Sequence, residues 1–131
     1  MKMNRRKSLA AALAAMSAPV LGAAGTGKAI QLHVDLEVTP GKEATLETNF
    51  RKVFEPTISR QPGFVEVKLM KFRKAMMGKE MPGFSYRLLI SFRTEEQRLT
   101  WVATADHQKA WPTLEAQLKG AKLVVLLYDL V

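Results

Sequence analysis

The residues whose types could support chemistry lie close together in the second half of the chain, between residues 86 and 118. Trp101 is followed six residues later by His107 and ten residues later by Trp111. Histidine exchanges a proton near neutral pH and indole rings make flat apolar walls, so the group could form an aromatic pocket with a base. The simpler alternative is two core tryptophans and a histidine at a helix end.

The sequence offers little that would support other common chemistries. It has no cysteine, which excludes disulfides, thiolate metal ligands and cysteine nucleophiles. His33 and His107 are the only histidines, so a three-ligand zinc site would need carboxylates at a spacing that the sequence does not provide. Residues 25–28, GTGK, lack the preceding strand and the glycine spacing of a phosphate-binding loop. We therefore expect no metal site.

The positive charge of the chain is concentrated at its start. The formal net charge is +8, but residues 1–29 hold five basic residues and no acidic one. Residues 30–131 therefore carry 15 basic against 12 acidic residues, a balance of only +3. So small an excess does not favour nucleic-acid binding, and we expect no nucleic-acid partner.

The first 29 residues have the three-part layout of a secretory signal peptide. Residues 1–7 are positively charged, residues 8–24 are rich in alanine and uncharged, and small residues follow. We expect cleavage after Ala24 or Ala29, and the Arg5-Arg6 pair indicates the twin-arginine export route. An uncleaved anchor is the alternative, but Pro19 interrupts the segment, and we expect no membrane span in the mature chain.

Residues 30–131 have the size of one domain with an α+β element order. Alternating apolar residues predict strands at residues 30–38, 64–72, 84–93 and 122–130. With a helical region after the first and third strands, the order is βαββαβ, which predicts a ferredoxin-like fold with an antiparallel four-stranded sheet. The last strand is apolar on both faces, and we expect Leu123, Val125 and Leu127 to point away from the helices and to bury themselves in a homodimer.

The ends of the two helical regions are predicted by capping and helix-breaking residues. We expect the first helix to begin at Thr39 and to kink or end at Pro56. Thr94 opens a capping box at the start of the second region. This region is expected to break or kink before Pro112 and to end at Gly120.

The whole pattern resembles the antibiotic biosynthesis monooxygenase family. The similarity is carried by a PGK turn at residues 40–42, a QPGF turn at residues 61–64 and the order Trp101, His107, Trp111, and it covers about residues 30–130. Members of this family are dimeric α+β barrels that oxidise aromatic substrates with O2. The resemblance implies a homodimer that oxidises a small phenol or hydroquinone with O2 and without a cofactor, and the predicted signal peptide adds export to this hypothesis.

The resemblance also implies roles for particular residues. Trp101 and Trp111 would be the walls of the substrate pocket, and His107 would be the base that takes the phenolic proton. Tyr86 or Arg87 would donate a hydrogen bond to the developing oxyanion, depending on which face of the third strand meets the pocket.

Two other functions remain open at this point. Haem-degrading relatives of the same fold have an asparagine on the first strand and a haem-ligating histidine ten residues after the helix tryptophan, where this chain has Val34 and Trp111. The other function is a non-enzymatic ligand-binding or structural barrel. An open pocket beside His107 would favour an enzyme, and a fully packed one would favour the non-enzymatic barrel.

A cluster of basic residues follows the second predicted strand and its loop. Its members are Lys68, Lys71, Arg73, Lys74 and Lys79. The cluster fits a solvated hairpin, and it also fits a docking surface for an acidic partner or for anionic lipid.

Overall fold

The computed structural model describes residues 28–131 as four strands and two helical regions. The strands are β1 (Ile30–Val38), β2 (Phe64–Lys71), β3 (Tyr86–Phe92) and β4 (Leu118–Asp129), and the helices are α1 (Glu43–Asn49), α2 (Glu55–Ile58), α3 (Glu95–Val102) and α4 (Ala105–Glu115). The predicted signal peptide lies outside the described residues except for its last two. No helix among residues 28–131 is long and apolar enough to cross a membrane.

The four strands form one antiparallel sheet in the order β2-β3-β1-β4. This arrangement confirms the predicted ferredoxin-like α+β fold, in which the first and third strands are central. β1 begins and ends at the predicted residues, because apolar and polar residues alternate strictly along it and this pattern indicates a strand. Its even-numbered residues are buried, and so are those of β3, and together they form the floor of the core beneath the helices.

The opposite face of the sheet has no helix over it among the described residues. In β4, Leu123, Val125 and Leu127 pair with buried residues of β1, namely Leu36, Val34 and Leu32. Paired residues share a face, so the expectation that these three side chains point away from the helices is wrong. The open face instead carries the residues of β4 that alternate with these three, among them Leu126 and Tyr128, which are 38% and 46% exposed.

The first helical region starts later than predicted and contains a wider turn. Gly41 has a φ of 89°, which an α-helix does not accommodate, so the helix begins at Glu43 rather than at Thr39. Residues Phe50–Phe54 form a π-helical turn between α1 and α2. Pro56 then lies in the first turn of α2, directly after the π-helical turn. The kink expected at Pro56 is therefore a π-turn just before it.

The second helical region consists of two helices with similar N-terminal caps. The side chain of Thr94 accepts a hydrogen bond from the Gln97 amide, as predicted, and Thr104 accepts one from the His107 amide. The break expected before Pro112 is absent, because α4 continues through Pro112 to Glu115. Gly120, expected as a helix end, lies within β4 with a φ of 62°, close to a register shift in the pairing with β1.

Candidate active site

A cavity of about 210 Å³ lies between the helix-facing side of the sheet and helices α3 and α4. Its floor is made by apolar residues of the three strands β1, β3 and β4, and its walls come from the helical regions. The lining residues are Leu32, Val34, Phe54, Leu88, Ile90, Arg98, Trp101, Val102, His107, Trp111, Leu123 and Val125. Val125 is 50% exposed, so the β4 side of the cavity is next to solvent. The cavity brings together Trp101, His107 and Trp111, as the sequence predicts.

Three aromatic side chains build one wall by edge-to-face packing. The ring of Phe54 meets Trp101 at 6.0 Å between centroids with an interplanar angle of 78°, and Trp111 at 6.5 Å with an angle of 67°. Such geometry sets the positive edge of one ring against the negative face of another. Trp101 is 2% exposed, whereas Trp111 is half-buried. The wall is therefore fixed at Trp101 and more open at Trp111.

His107 is held in the cavity by the start of α4. Its amide donates to the Thr104 side chain at 3.1 Å, and its imidazole lies edge-on to the Trp101 ring at 4.9 Å. The Nδ1 atom is buried and has no hydrogen-bond partner among the described residues. A buried nitrogen without a partner carries a desolvation penalty, which a ligand hydroxyl or oxyanion would remove.

The protonation of His107 is set by its surroundings. Burial lowers its pKa below 6.5, because the charged imidazolium loses its hydration, and the positive charge of Arg98 lowers the pKa further. His107 is therefore neutral at pH 7 and free to accept a proton. A bound anion would offset the positive charge of Arg98 and raise the pKa of His107, so that the imidazole would retain the proton it accepts.

Arg98 is the charged residue that the sequence analysis missed. Its Nε and Nη2 atoms each donate to the Glu95 carboxylate at 2.7 Å, and its side chain is 16% exposed. A two-point ion pair of this kind fixes the guanidinium plane. The sequence signal is the spacing of three residues between Arg98 and Trp101, which places both on one face of α3.

Tyr86 and Arg87 are placed outside this cavity. Tyr86 lies on the helix-facing side of β3, but its hydroxyl donates to Glu47, and burial followed by the Glu47 carboxylate raises its pKa well above the usual range. Arg87 lies on the open face, where it pairs with the buried Asp35 through bonds of 2.7 and 3.2 Å. The structure thus does not bring either predicted donor to the cavity, and Arg98 is the only arginine or lysine among the described residues that line it.

The two positions that distinguish haem-degrading relatives also line the cavity. Val34 is on its floor and Trp111 is on its wall. Neither side chain has an atom that ligates iron or bonds an oxygen ligand, so these residues do not fit a haem with axial histidine at that position. Among residues 28–131, no three His, Asp or Glu side chains come close enough together to hold a metal ion.

Comparison with known proteins agrees with this fold. The family model of the antibiotic biosynthesis monooxygenases matches residues 29–112. SnoaB, a cofactor-independent oxygenase from Streptomyces nogalater, is similar with a TM-score of 0.62 at 19% identity, over 78% of this chain and 92% of its own. A dimeric ferredoxin-like protein from Jannaschia sp. CCS1 gives 0.62 at 17% identity, over 79% and 98%. Comparison with curated proteins finds no match.

The structural similarities show the fold, and the family match shows to which family the chain belongs. The matched residues run from the start of β1 into α4 and include Trp101, His107 and Trp111. They make up more than half of the 131 residues. The chain therefore belongs to the antibiotic biosynthesis monooxygenase family.

Proposed function

We propose that this protein is a monooxygenase that oxidises a small electron-rich phenol with O2, without a cofactor. The observation that carries the proposal is the buried, unpartnered Nδ1 of His107 in an apolar cavity. A purely structural histidine in a core is normally satisfied by hydrogen bonds. His107 also lines the cavity, and its unpartnered Nδ1 would gain a hydrogen bond from a ligand oxygen that reached it, which is the atom that a phenol would present.

The cavity limits the size and polarity of the substrate. An apolar cavity of roughly 150 Å³ is large enough to hold benzene, and drug-sized ligands occupy about 300 Å³ or more. At about 210 Å³, this cavity suits one substituted ring or two fused rings. The aromatic wall of Phe54, Trp101 and Trp111 favours a flat molecule.

The residues support a reaction in which the substrate supplies the electrons. His107 accepts the phenolic proton, and the phenolate is stabilised by the positive charge of Arg98. The phenolate then gives one electron to O2, and the resulting radical pair forms a carbon–oxygen bond at the ring carbon opposite the hydroxyl. Loss of water leaves the quinone, so that one phenol with a free para C–H and one O2 yield one quinone and one water.

The test is an O2-uptake screen of the protein with one-ring phenols and 1-naphthols that have a free para C–H. Hydroquinones, which O2 can convert to quinones without oxygen insertion, and anthrones, which have three fused rings, serve as comparison classes. We expect uptake without added flavin or haem, and quinone formation in equal amount. His107→Gln should lower turnover by roughly 10²–10⁴, the range for loss of a general acid–base group. His33→Gln is the matched control, because His33 lies on the open face of the sheet and should retain full turnover.

Two outcomes of this screen would contradict the proposal. If no compound is oxidised but flat aromatics bind beside His107, the protein is a ligand-binding barrel. If oxidation requires added haem or flavin, the chemistry belongs to that cofactor. Full activity of His107→Gln would remove the assigned base while leaving the oxygenase activity in place.

We also propose that two copies pair through the open face of the sheet. Leu126, Tyr128 and Met70 leave apolar surface exposed there, beside the ion pair of Asp35 and Arg87. An exposed apolar sheet face of this kind is typical of a surface that is covered by a partner. The dimeric protein from Jannaschia sp. CCS1 has the same fold, which supports this arrangement.

A further inference from the structure

The β2–β3 loop, residues 72–85, presents apolar side chains directly to solvent. At its tip, Met76 is 83% exposed and Met77 is 94% exposed. Phe72 and Met81, nearer the base, are 44% and 43% exposed, but they line a cavity with Met70 and Arg87 on the open face that we assign to the dimer, so only the tip is free for another partner. Methionine and phenylalanine gain free energy by leaving water, and unbranched methionines adapt to many surfaces. A loop of this composition is typical of an interaction site.

The same part of the molecule carries the uncompensated positive charge. Residues 28–131 contain 16 basic and 12 acidic residues, a net charge of +4. Residues 68–80 contain five basic residues and one acidic residue, which is also +4, so the rest of the described chain is neutral. Among residues 28–131, Lys68 pairs with Glu66, whereas Arg73, Lys74 and Lys79 have no carboxylate within ion-pair distance.

The loop has an ordered base and a projecting tip. At the base, the Phe72 amide donates to the Ser85 carbonyl at 2.7 Å, and the Phe84 amide donates to the Met81 carbonyl at 3.2 Å. At the tip, Gly78 has a φ of 77°, and a Cβ atom placed there would meet nothing within 4 Å. The two exposed methionines precede this bend. The tip therefore stands away from the body of the domain and can reach a surface.

We propose that this loop docks the protein on a membrane surface rich in anionic lipid. Met76 and Met77 enter the headgroup region, while Arg73, Lys74 and Lys79 contact lipid phosphates. A lipid surface fits because it deforms around a convex apolar tip, whereas a folded acidic partner would need a matching cavity. The docking is peripheral and independent of the oxidation chemistry at His107.

The absence of cysteine from the chain allows a direct test with one fluorescent label per molecule. Met77→Cys carries an environment-sensitive fluorophore at the tip, and Thr45→Cys, exposed on α1, carries it on the helical side. Both full-length proteins are titrated with vesicles of equimolar phosphatidylglycerol and phosphatidylcholine, and with vesicles of phosphatidylcholine alone. We expect a blue shift at position 77 with the anionic vesicles only, and none at position 45.

The charge requirement is tested in the Met77→Cys background. Lys74→Gln combined with Lys79→Gln should weaken vesicle binding roughly 30-fold, because each basic residue near an anionic surface contributes about fivefold. Lys52→Gln combined with Lys109→Gln is the matched control, since both residues are exposed on the helical side and should leave binding unchanged.

The proposal is overturned if the label at position 77 stays in a water-like environment with anionic vesicles, or if position 45 shifts equally. It is also overturned if soluble polyglutamate shifts the label at position 77 as strongly as the vesicles do, which would indicate an acidic protein as the partner.

Discussion

Truncation of Trp101 should separate the structural role of the aromatic wall from its role in binding. Trp101 is 2% exposed and packs against the rings of Phe54 and His107. Replacing a buried tryptophan by alanine destabilises proteins by about 3–5 kcal/mol, and the larger values arise when an empty cavity remains. Here the new space joins an existing cavity that borders solvent near Val125, so water can enter it. We therefore expect Trp101→Ala to lower the free energy of unfolding by about 3 kcal/mol.

The assay is urea unfolding of the full-length protein followed by far-ultraviolet circular dichroism, which does not depend on tryptophan fluorescence. Leu99→Ala is the control on the same helix, because Leu99 is 53% exposed and its truncation should change stability by less than about 0.5 kcal/mol. Trp101→Phe should recover most of the loss. A change below about 1 kcal/mol for Trp101→Ala would contradict the packing described for the wall. Once a substrate is known, the same variant should bind it more weakly, by on the order of 1–3 kcal/mol.

Three further predictions concern assembly, acid stability and export. Leu126→Lys should give monomer or aggregate by light scattering, because an unpaired charge would be buried in the dimer; a wild-type monomer at micromolar concentration would contradict the dimer. Because the pKa of His107 is lowered in the folded protein, the unfolded chain binds a proton at this histidine more readily. The contribution of neutral His107 to the free energy of unfolding is therefore complete above pH 6.5, and it is lost as the pH falls from 6.5 through the folded-state pKa. His107→Gln should therefore be less sensitive to acid than wild type in urea unfolding. His33→Gln measures separately the contribution of His33, whose pKa is also lowered by burial and by the charge of Arg87. If the protein is exported and cleaved, N-terminal sequencing of protein from the native host should show a chain that begins near Gly25 or Ile30. A cytoplasmic chain with Met1 intact would refute the prediction.

The strands and the cap at Thr94 were predictable because they depend on local patterns. β1 needs only its own alternation, and the cap at Thr94 needs only a side chain and an amide three residues later. The orientation of β4 was not predictable, because both of its faces are apolar and the register shift near Gly120 determines which one meets the helices. The π-turn before Pro56 was also out of reach, since helical spacing does not distinguish it from a continuing α-helix.

The candidate site was predictable in part for related reasons. Trp101, His107 and Trp111 follow one another along two adjacent helices, so short-range spacing was enough to group them. Phe54 joins them from a distant segment, and its position depends on the π-turn. Tyr86 and Arg87 were grouped with His107 because the third strand was expected to adjoin the pocket, but neighbouring strand residues point to opposite faces and each finds a carboxylate of its own.

The most direct test of the proposed chemistry is the protonation state of His107 when a phenol is bound. The chain has two histidines, so the imidazole nitrogen resonances of ¹⁵N-histidine-labelled protein can be assigned with His107→Gln. On addition of para-nitrophenol at neutral pH, we expect His107 to change from the neutral imidazole to the imidazolium pattern while His33 stays as it is. If para-nitrophenol occupies the cavity and His107 remains neutral, the histidine does not take the phenolic proton, and the assignment of His107 as the base is wrong.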